Sequence, residues 1–233
     1  MLNHKLAFML HKTGVYKLLD SGRDFVQLLR AGRRTSFSQY GEDMFLSEYF
    51  GGRKGAYIEI GGNHPFRLSN TYLLYRMGWS GVVVEPIRNL YNKHKRFRPR
   101  DIQVNAAAGD STGNLTFYEM VPSILSTCNP DEAKTMLATG SVSLLRKYTV
   151  PVVTINDLYR KHLASYPVLL LSIDTEGYDL PVLRGIDWKV MHPELVICEA
   201  NDATAETAIT QFLAEQGYEC LKVLGCNRIF APR

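Results

Sequence analysis

Long apolar runs are missing from this chain. No stretch reaches the roughly 18 residues that a membrane-spanning helix needs. A secretory pattern is missing too: the apolar residues at 6–10 are too few for a signal core and are followed at once by His11 and Lys12. Cysteine is sparse. Cys128, Cys198, Cys220 and Cys226 are scattered, and none forms a CxxC pair, which argues against a zinc site. A Cys220–Cys226 bridge is conceivable, but reduced thiols in a cytoplasm are the expectation, with Cys198 as buried packing. The main body also lacks an excess of charge. Of the net +4, residues 1–34 carry +5, which leaves −1 for the rest. No nucleic-acid groove is expected in the core, and no nucleic-acid partner.

What remains is ordinary globular composition. The 233 residues are 45% hydrophobic and 21% charged, enough for one real core. Residues 1–35 read as a basic N-terminal arm and 36–233 as the main domain. Within 2–30, Leu6, Met9, Leu10, Leu18, Leu19, Phe25, Val26, Leu28 and Leu29 recur at helical spacing, interrupted at Gly14 and at Asp20-Ser21-Gly22. Such an arm packs on the domain or on a second subunit of a homodimer. Its basic amphipathic character also admits peripheral contact with an anionic membrane surface.

From residue 55 onward, strands and helices alternate. Apolar runs predict strands at 56–60, 82–85, 102–107, 168–173 and 195–198, with further strands at 115–120 and 148–154. Helices are predicted at 68–77, 87–97, 156–163, from 178 and at 204–215, with Asn156 as a cap. Residues 218–224 and 228–230 close the chain as a hairpin. Continuous apolar strands between helices mean a mostly parallel sheet covered on both faces, with an antiparallel closing strand. The polar stretch 121–147, with Pro122, Pro130 and Gly140, reads as a lid or substrate loop, or as a segment without fixed order.

In such a sheet, ligands bind at the carboxyl ends of the strands. Those ends read Glu59-Ile60-Gly61-Gly62-Asn63, Glu85-Pro86, Asn105-Ala106-Ala107, Asp174-Thr175-Glu176-Gly177 and Glu199-Ala200-Asn201. Each strand delivers a polar or acidic group to one edge. Gly61 and Gly62 permit close backbone approach. Glu85 suits a ribose diol and Asn105 an adenine edge. A dinucleotide would require GxGxxG and a helix N-terminus at its pyrophosphate, but here the loop reads Gly61-Gly62-Asn63-His64-Pro65-Phe66. An acidic rim suits S-adenosylmethionine, with its ammonium and sulfonium groups, better than it suits phosphates.

Several blocks carry a family resemblance. Ser38-Gln39-Tyr40-Gly41-Glu42-Asp43, Tyr57-Ile58-Glu59-Ile60-Gly61, Ser69-Asn70-Thr71, Gly78-Trp79-Ser80-Gly81, Val84-Glu85-Pro86 and Leu171-Ser172-Ile173-Asp174-Thr175-Glu176-Gly177 together resemble the FkbM-type methyltransferases. The resemblance spans roughly residues 36 to 201. It implies a class I methyltransferase Rossmann-like fold and O-methylation, commonly of sugar or polyketide hydroxyls. Members often carry Asp and Ala where this chain has Glu59 and Gly62.

On this reading Glu59, Gly61, Asn63, Ser69, Asn70, Thr71, Glu85, Asn105 and Asp174 contact or support the cofactor. Asp174 handles the acceptor's proton, with His64 as a second candidate base. Asp174, Glu199 and Asn201 offer hard oxygen ligands for Mg²⁺ or a similar cation that would acidify an acceptor hydroxyl; without a metal, Glu199 and Asn201 bind acceptor hydroxyls. Glu176 supports its loop. Gln39 and Asp43 are structural or touch a lid. Trp79 belongs to the core, and His192 lies at the wrong edge. The expected acceptor is a small molecule or glycan, in a glycolipid or glycosylated metabolite, and the expected location is cytoplasmic or membrane-associated. An NAD-dependent oxidoreductase and a non-catalytic scaffold are the rival readings.

Overall fold

The computed structural model describes residues 35–233 except 165 and 167, together with Asp24 and Val26. Apart from those two residues, the helical arm expected over 2–30 lies outside the described residues.

In chain order the strands are β1 (Ala56–Ile60), β2 (Ser80–Val84), β3 (Ile102–Val104), β4 (Ala107–Ala108), β5 (Gly113–Val121), β6 (Ser143–Val153), β7 (Val168–Ile173), β8 (Leu195–Glu199), β9 (Tyr218–Leu224) and β10 (Asn227–Pro232). The helices are α1 (Glu42–Phe50), α2 (Tyr72–Arg76), α3 (Arg88–Phe97), α4 (Pro130–Ala138), α5 (Ile155–Leu158), α6 (Asp179–Arg184) and α7 (Ala203–Glu215).

Seven strands form the main sheet in the order β3-β2-β1-β7-β8-β10-β9. β10 alone runs antiparallel to its neighbours; the other pairings are parallel. This is the class I methyltransferase arrangement expected from the resemblance. The direction of strand progression reverses between β1 and β7, and such a reversal opens a crevice at the carboxyl edge.

The strands are apolar on both faces because helices cover both. Ile58 and Ile60 point into a core with Val182, Leu183, Ile209 and Leu213 from α6 and α7. Tyr57 points the other way, into a core with Leu46 and Phe50 of α1, Leu74 of α2, and Trp79. Trp79 is fully buried, as expected, and its indole N–H donates to the Arg53 carbonyl at 2.8 Å.

Three local expectations need correction. The helix expected from residue 68 begins at Tyr72, because Leu68 holds a left-handed φ of +54° that no α-helix admits. Its N-cap is Thr71, and Ser69, two residues earlier, supports the start, its Oγ accepting the Tyr72 N–H at 3.2 Å. The cap of α5 is Thr154, which accepts the Asp157 N–H at 3.1 Å; Asn156 is spent on Gly185 and Asp187. The strand expected over 102–107 breaks at Asn105, with β3 in the main sheet and β4 in a second sheet of order β4-β6-β5. That second sheet extends into the 121–147 segment. There α4, capped by Asn129, packs Ala133 and Met136 against Met120 and Val142. The segment carries its own helix and small core, so the alternative of a stretch without fixed order does not hold.

Candidate active site

The crevice at the strand reversal is a cavity of about 320 Å³. Its floor is built from the strand ends. Gly61, with φ +76°, follows β1 so closely against β7 that a Cβ there would lie 1.7 Å from the Asp174 carbonyl oxygen. No side chain fits, so this glycine is dictated by the sheet itself. The next residues, Gly62 and Asn63, line the cavity.

Glu85 follows β2 and is 3% exposed. Its Oε2 accepts the Asn63 N–H at 2.7 Å and its Oε1 accepts the Ile87 N–H at 2.6 Å. Burial nevertheless pushes its carboxyl up to about 8. Each oxygen keeps a further lone pair, which suits it to a diol.

Across the cavity stand the ends of β7 and β8. Asp174, Glu176 and Glu199 each place a carboxylate oxygen within 4.8 Å of the others. Asp174 opens onto the cavity and is exposed there, with its carboxyl group among those of Glu176 and Glu199. Burial first, then Glu199, Glu176 and Asp179, hold its carboxyl well above the usual range. Burial and Glu199 likewise push Glu176 to about 8. Asn201 donates its side-chain N–H to Glu199 at 3.0 Å and to Glu176 at 3.5 Å. It therefore steadies the acids through its nitrogen, and Glu176 occupies the third ligand-like position expected of Asn201.

Asp179, in the first turn of α6, was not anticipated. It is 3% exposed; one oxygen accepts from Thr175 and the other accepts the Glu199 N–H at 3.1 Å. It joins the ends of β7 and β8, and burial raises it to about 7. The only local signal was an acid in a helical first turn, a common arrangement.

The second sheet closes one side. Phe117, Cys128 and residues 123–126 line the cavity. Thr127 Oγ1 donates to the Glu176 carbonyl at 2.8 Å, and Asn129 Nδ2 to the Gly177 carbonyl at 3.0 Å. The subdomain thus grips the loop that carries the acids. Three non-glycine residues among those described have left-handed φ: Asn63 (+39°), Leu68 (+54°) and Glu176 (+52°). All three line the cavity. Such conformations cost of order 1 kcal/mol each and concentrate where function holds them.

Several expected site residues lie behind this wall. Glu59 reaches the cavity, but its carboxylate binds Arg98 Nη1 at 2.9 Å. Arg98 is fully buried and also meets Asp101 at 2.6 Å, and the Tyr57 and Thr71 hydroxyls at 2.8 Å each. Glu59 and Thr71 therefore support the floor through Arg98. Ser69 is buried at the start of α2; neither Ser69 nor Thr71 lines the cavity, whereas Asn70 does. Asn105 is withdrawn from the cavity. It donates to the Glu85 and Pro86 carbonyls at 2.8 and 2.9 Å, and Ala106, Ala107 and Ala108 form the wall in its place.

His64 is also outside the lining. Its Nε2 donates to Asp24 at 3.0 Å, and its Nδ1 accepts the Phe66 N–H at 3.4 Å. Burial lowers it to about 4, and its lone pair is occupied, so it is poorly suited to act as a base. Asp43 is structural, accepting from Ser36, Phe37 and Ser38 between 2.6 and 2.8 Å. Gln39 and Tyr40 reach the cavity mouth. His94 was missed altogether. It sits buried on α3 with Nε2 at 3.2 Å from the Gly62 carbonyl and 3.0 Å from that of Asn63. Two carbonyl acceptors require the proton on Nε2.

The methyltransferase FkbM domain matches residues 59–220, from the β1 acid through the strand-end set to β9. The chain belongs to the FkbM methyltransferase family. It is an S-adenosylmethionine-dependent methyltransferase, and the match starts later and runs further than the resemblance noted above. Among curated proteins none matches the chain. Similar solved structures include a TehB-like SAM-dependent methyltransferase from Corynebacterium glutamicum, at 13% identity and TM-score 0.45, covering 95% of this chain and 100% of that one. Another is the O-methyltransferase from Bacillus cereus in complex with SAH, at 14% identity and TM-score 0.42, covering 90% of this chain and 88% of that one. The family assignment rests on the domain match.

The cavity of this FkbM methyltransferase fits the family's cofactor. Gly61, Gly62 and Asn63 present the loop after β1 to the cavity, Glu85 offers carboxylate lone pairs to a ribose, and the acids opposite suit cationic groups. α2 begins ten residues after Gly62, so the loop has no helix N-terminus of the kind a pyrophosphate needs. All four cysteines are free, so the Cys220–Cys226 bridge is not formed. Among the described residues, no helix is long and apolar enough to cross a membrane.

Proposed function

We propose that this enzyme methylates a hydroxyl oxygen, with a sugar-bearing small molecule or glycan as acceptor. The observation that carries this reading is the convergence of Asp174, Glu176 and Glu199 on the cavity edge opposite Glu85. When bound, S-adenosylmethionine supplies an electrophilic methyl on a sulfonium. Glu85, Gly61, Asn63 and Asn70 hold its nucleoside and methionine parts. Asp174, whose carboxyl is held above its usual range and opens onto the cavity, takes the hydroxyl proton at its carboxylate. Glu199 and Glu176 accept hydrogen bonds from neighbouring hydroxyls, and a polyhydroxylated acceptor satisfies several at once. Residues of the second sheet line the cavity beside these acids and help to align the attacking oxygen.

The three clustered carboxylate oxygens favour a second reading of the same site, in which a divalent cation polarises the acceptor hydroxyl. EDTA separates the two: unchanged turnover after chelation leaves Asp174 alone as base, and loss restored by Mg²⁺ or Mn²⁺ supports the cation.

The test of the main reading begins with calorimetric titration of S-adenosylhomocysteine into wild-type and Glu85→Ala protein. Labelled S-adenosylmethionine is then supplied with a panel of glycosides. Saturable binding weakened by the substitution, followed by label in an alkali-stable ether, supports O-methylation. Label on nitrogen or carbon, or no binding by folded protein at millimolar ligand, refutes it.

A further inference from the structure

The loop that carries Gly61 and Asn63 continues through His64 to Arg67, and its outer side is held by a residue from the N-terminal arm. Asp24 is fully buried. Its Oδ1 lies 3.0 Å from His64 Nε2 and 2.8 Å from Arg67 Nη2, and its Oδ2 lies 2.7 Å from Lys93 Nζ. His64 and Arg67 belong to the cofactor loop, and Arg67 itself lines the cavity. Lys93 is on α3, next to His94, which grips the same loop at Gly62 and Asn63.

Bulk electrostatics does not account for this placement of Asp24. The arm carries net +5, and Asp24 is one of only two acids among its first 34 residues. A segment of that charge has no general attraction to Arg67 and Lys93. Asp24 is buried among a neutral histidine and two cations, an arrangement that only specific placement makes favourable. Its pairing fixes the far side of the loop while Glu85 fixes the near side through Asn63.

We propose that Asp24 is a positioning residue that latches the N-terminal arm onto the cofactor loop, so that arm docking and cofactor affinity are coupled. The proposal rests on the reading of residues 61–70 as the cofactor loop. By linkage, whatever the latch contributes to cofactor binding, the cofactor returns to arm docking.

The test uses the full chain. Wild type, Asp24→Asn, Lys93→Met and the double variant are titrated with S-adenosylhomocysteine. Amide hydrogen exchange is followed at residues 20–30 and 61–70, with and without ligand. Asp24→Asn is expected to weaken binding about tenfold, which is one hydrogen-bonded charge at about 1.4 kcal/mol, and to speed exchange of the loop even without ligand. Ligand is expected to slow exchange around residue 24 in wild type only. The double variant is expected to lose less than the two single losses combined.

A folded Asp24→Asn protein with lowered thermal stability but wild-type affinity and loop exchange would make Asp24 a plain anchor and overturn the latch. If that variant does not fold, Lys93→Met decides: about threefold weaker binding supports the latch, and unchanged binding overturns it. Failure of the wild type to bind overturns the cofactor reading and the coupling together; faster loop exchange in ligand-free Asp24→Asn would still show the arm holding the loop.

Discussion

The Glu85 carboxylate and the Asn63 backbone N–H are joined at 2.7 Å, so the acid after β2 and the glycine loop after β1 form one rigid corner of the cavity. Asn63 holds a left-handed φ of +39°, and this bond is part of what keeps it there. Glu85 therefore shapes the loop and remains available to a diol.

Replacing Glu85 with Ala is expected to weaken S-adenosylhomocysteine binding about 10- to 100-fold, the loss of one or two charged hydrogen bonds at about 1.5–3 kcal/mol. Calorimetry checks this, and circular dichroism confirms the fold. Affinity within twofold of wild type would remove Glu85 from the cofactor site.

Stability should fall as pH rises from about 6.5 to 8 in the ligand-free protein. Glu85 and Glu176 titrate near about 8 and Asp179 near about 7 in the fold, all above their usual values. The native state then binds more protons than the unfolded state over this window, so the slope is negative. His64, held neutral down to about 4, contributes the opposite slope, but only below its ordinary value near 6.5. Thermal melts across the window should show the decline, and Glu85→Gln should flatten it. A flat wild-type profile contradicts the assignment.

Asp174→Asn is expected to lower kcat about 100-fold or more, the usual reach of a general base, while S-adenosylhomocysteine affinity moves far less. His64→Gln should leave the pH–rate profile in place, because His64 lies outside the cavity lining. If loss of Asp174 weakens cofactor binding without slowing turnover, its role is at the cofactor.

His94→Leu removes the donor to the Gly62 and Asn63 carbonyls and is expected to weaken S-adenosylhomocysteine about tenfold. His94→Gln, which keeps an N–H donor, should recover part of that loss. Equal affinities for the two variants would assign His94 to packing.

Arg98→Met leaves Glu59 and Asp101 buried without their cation. Breaking such a cluster costs about 3–5 kcal/mol, which corresponds to a melting point about 10 °C lower in a domain of this size. A shift under about 2 °C would show that the acids reprotonate or find other partners.

Much of the site was legible before folding. Glu85, Asp174 and Glu199 were placed correctly at the carboxyl edge, since each follows a continuous apolar strand between helices. The glycine loop was legible for the same reason. Leu68 defeated the helix boundary because side-chain periodicity carries no record of a left-handed φ. The 121–147 subdomain was hidden because its few apolar anchors, Ala133, Met136 and Val142, find their partner Met120 only through tertiary packing.

By itself, then, the sequence determined the layered α/β fold and the set of acids on one edge. Alternating apolar strands and helices leave few other ways to bury those strands, and every parallel strand ends on the same side. Which strand-end side chains are committed to partners and which are left open to a ligand was decided only by the tertiary structure. Glu59 is turned toward Arg98, 39 residues away, and His64 toward Asp24, 40 residues away, while Asp174 is left open to the cavity. A carboxylate's role depends on the charge that happens to pack against it, and no local pattern records a partner so distant along the chain.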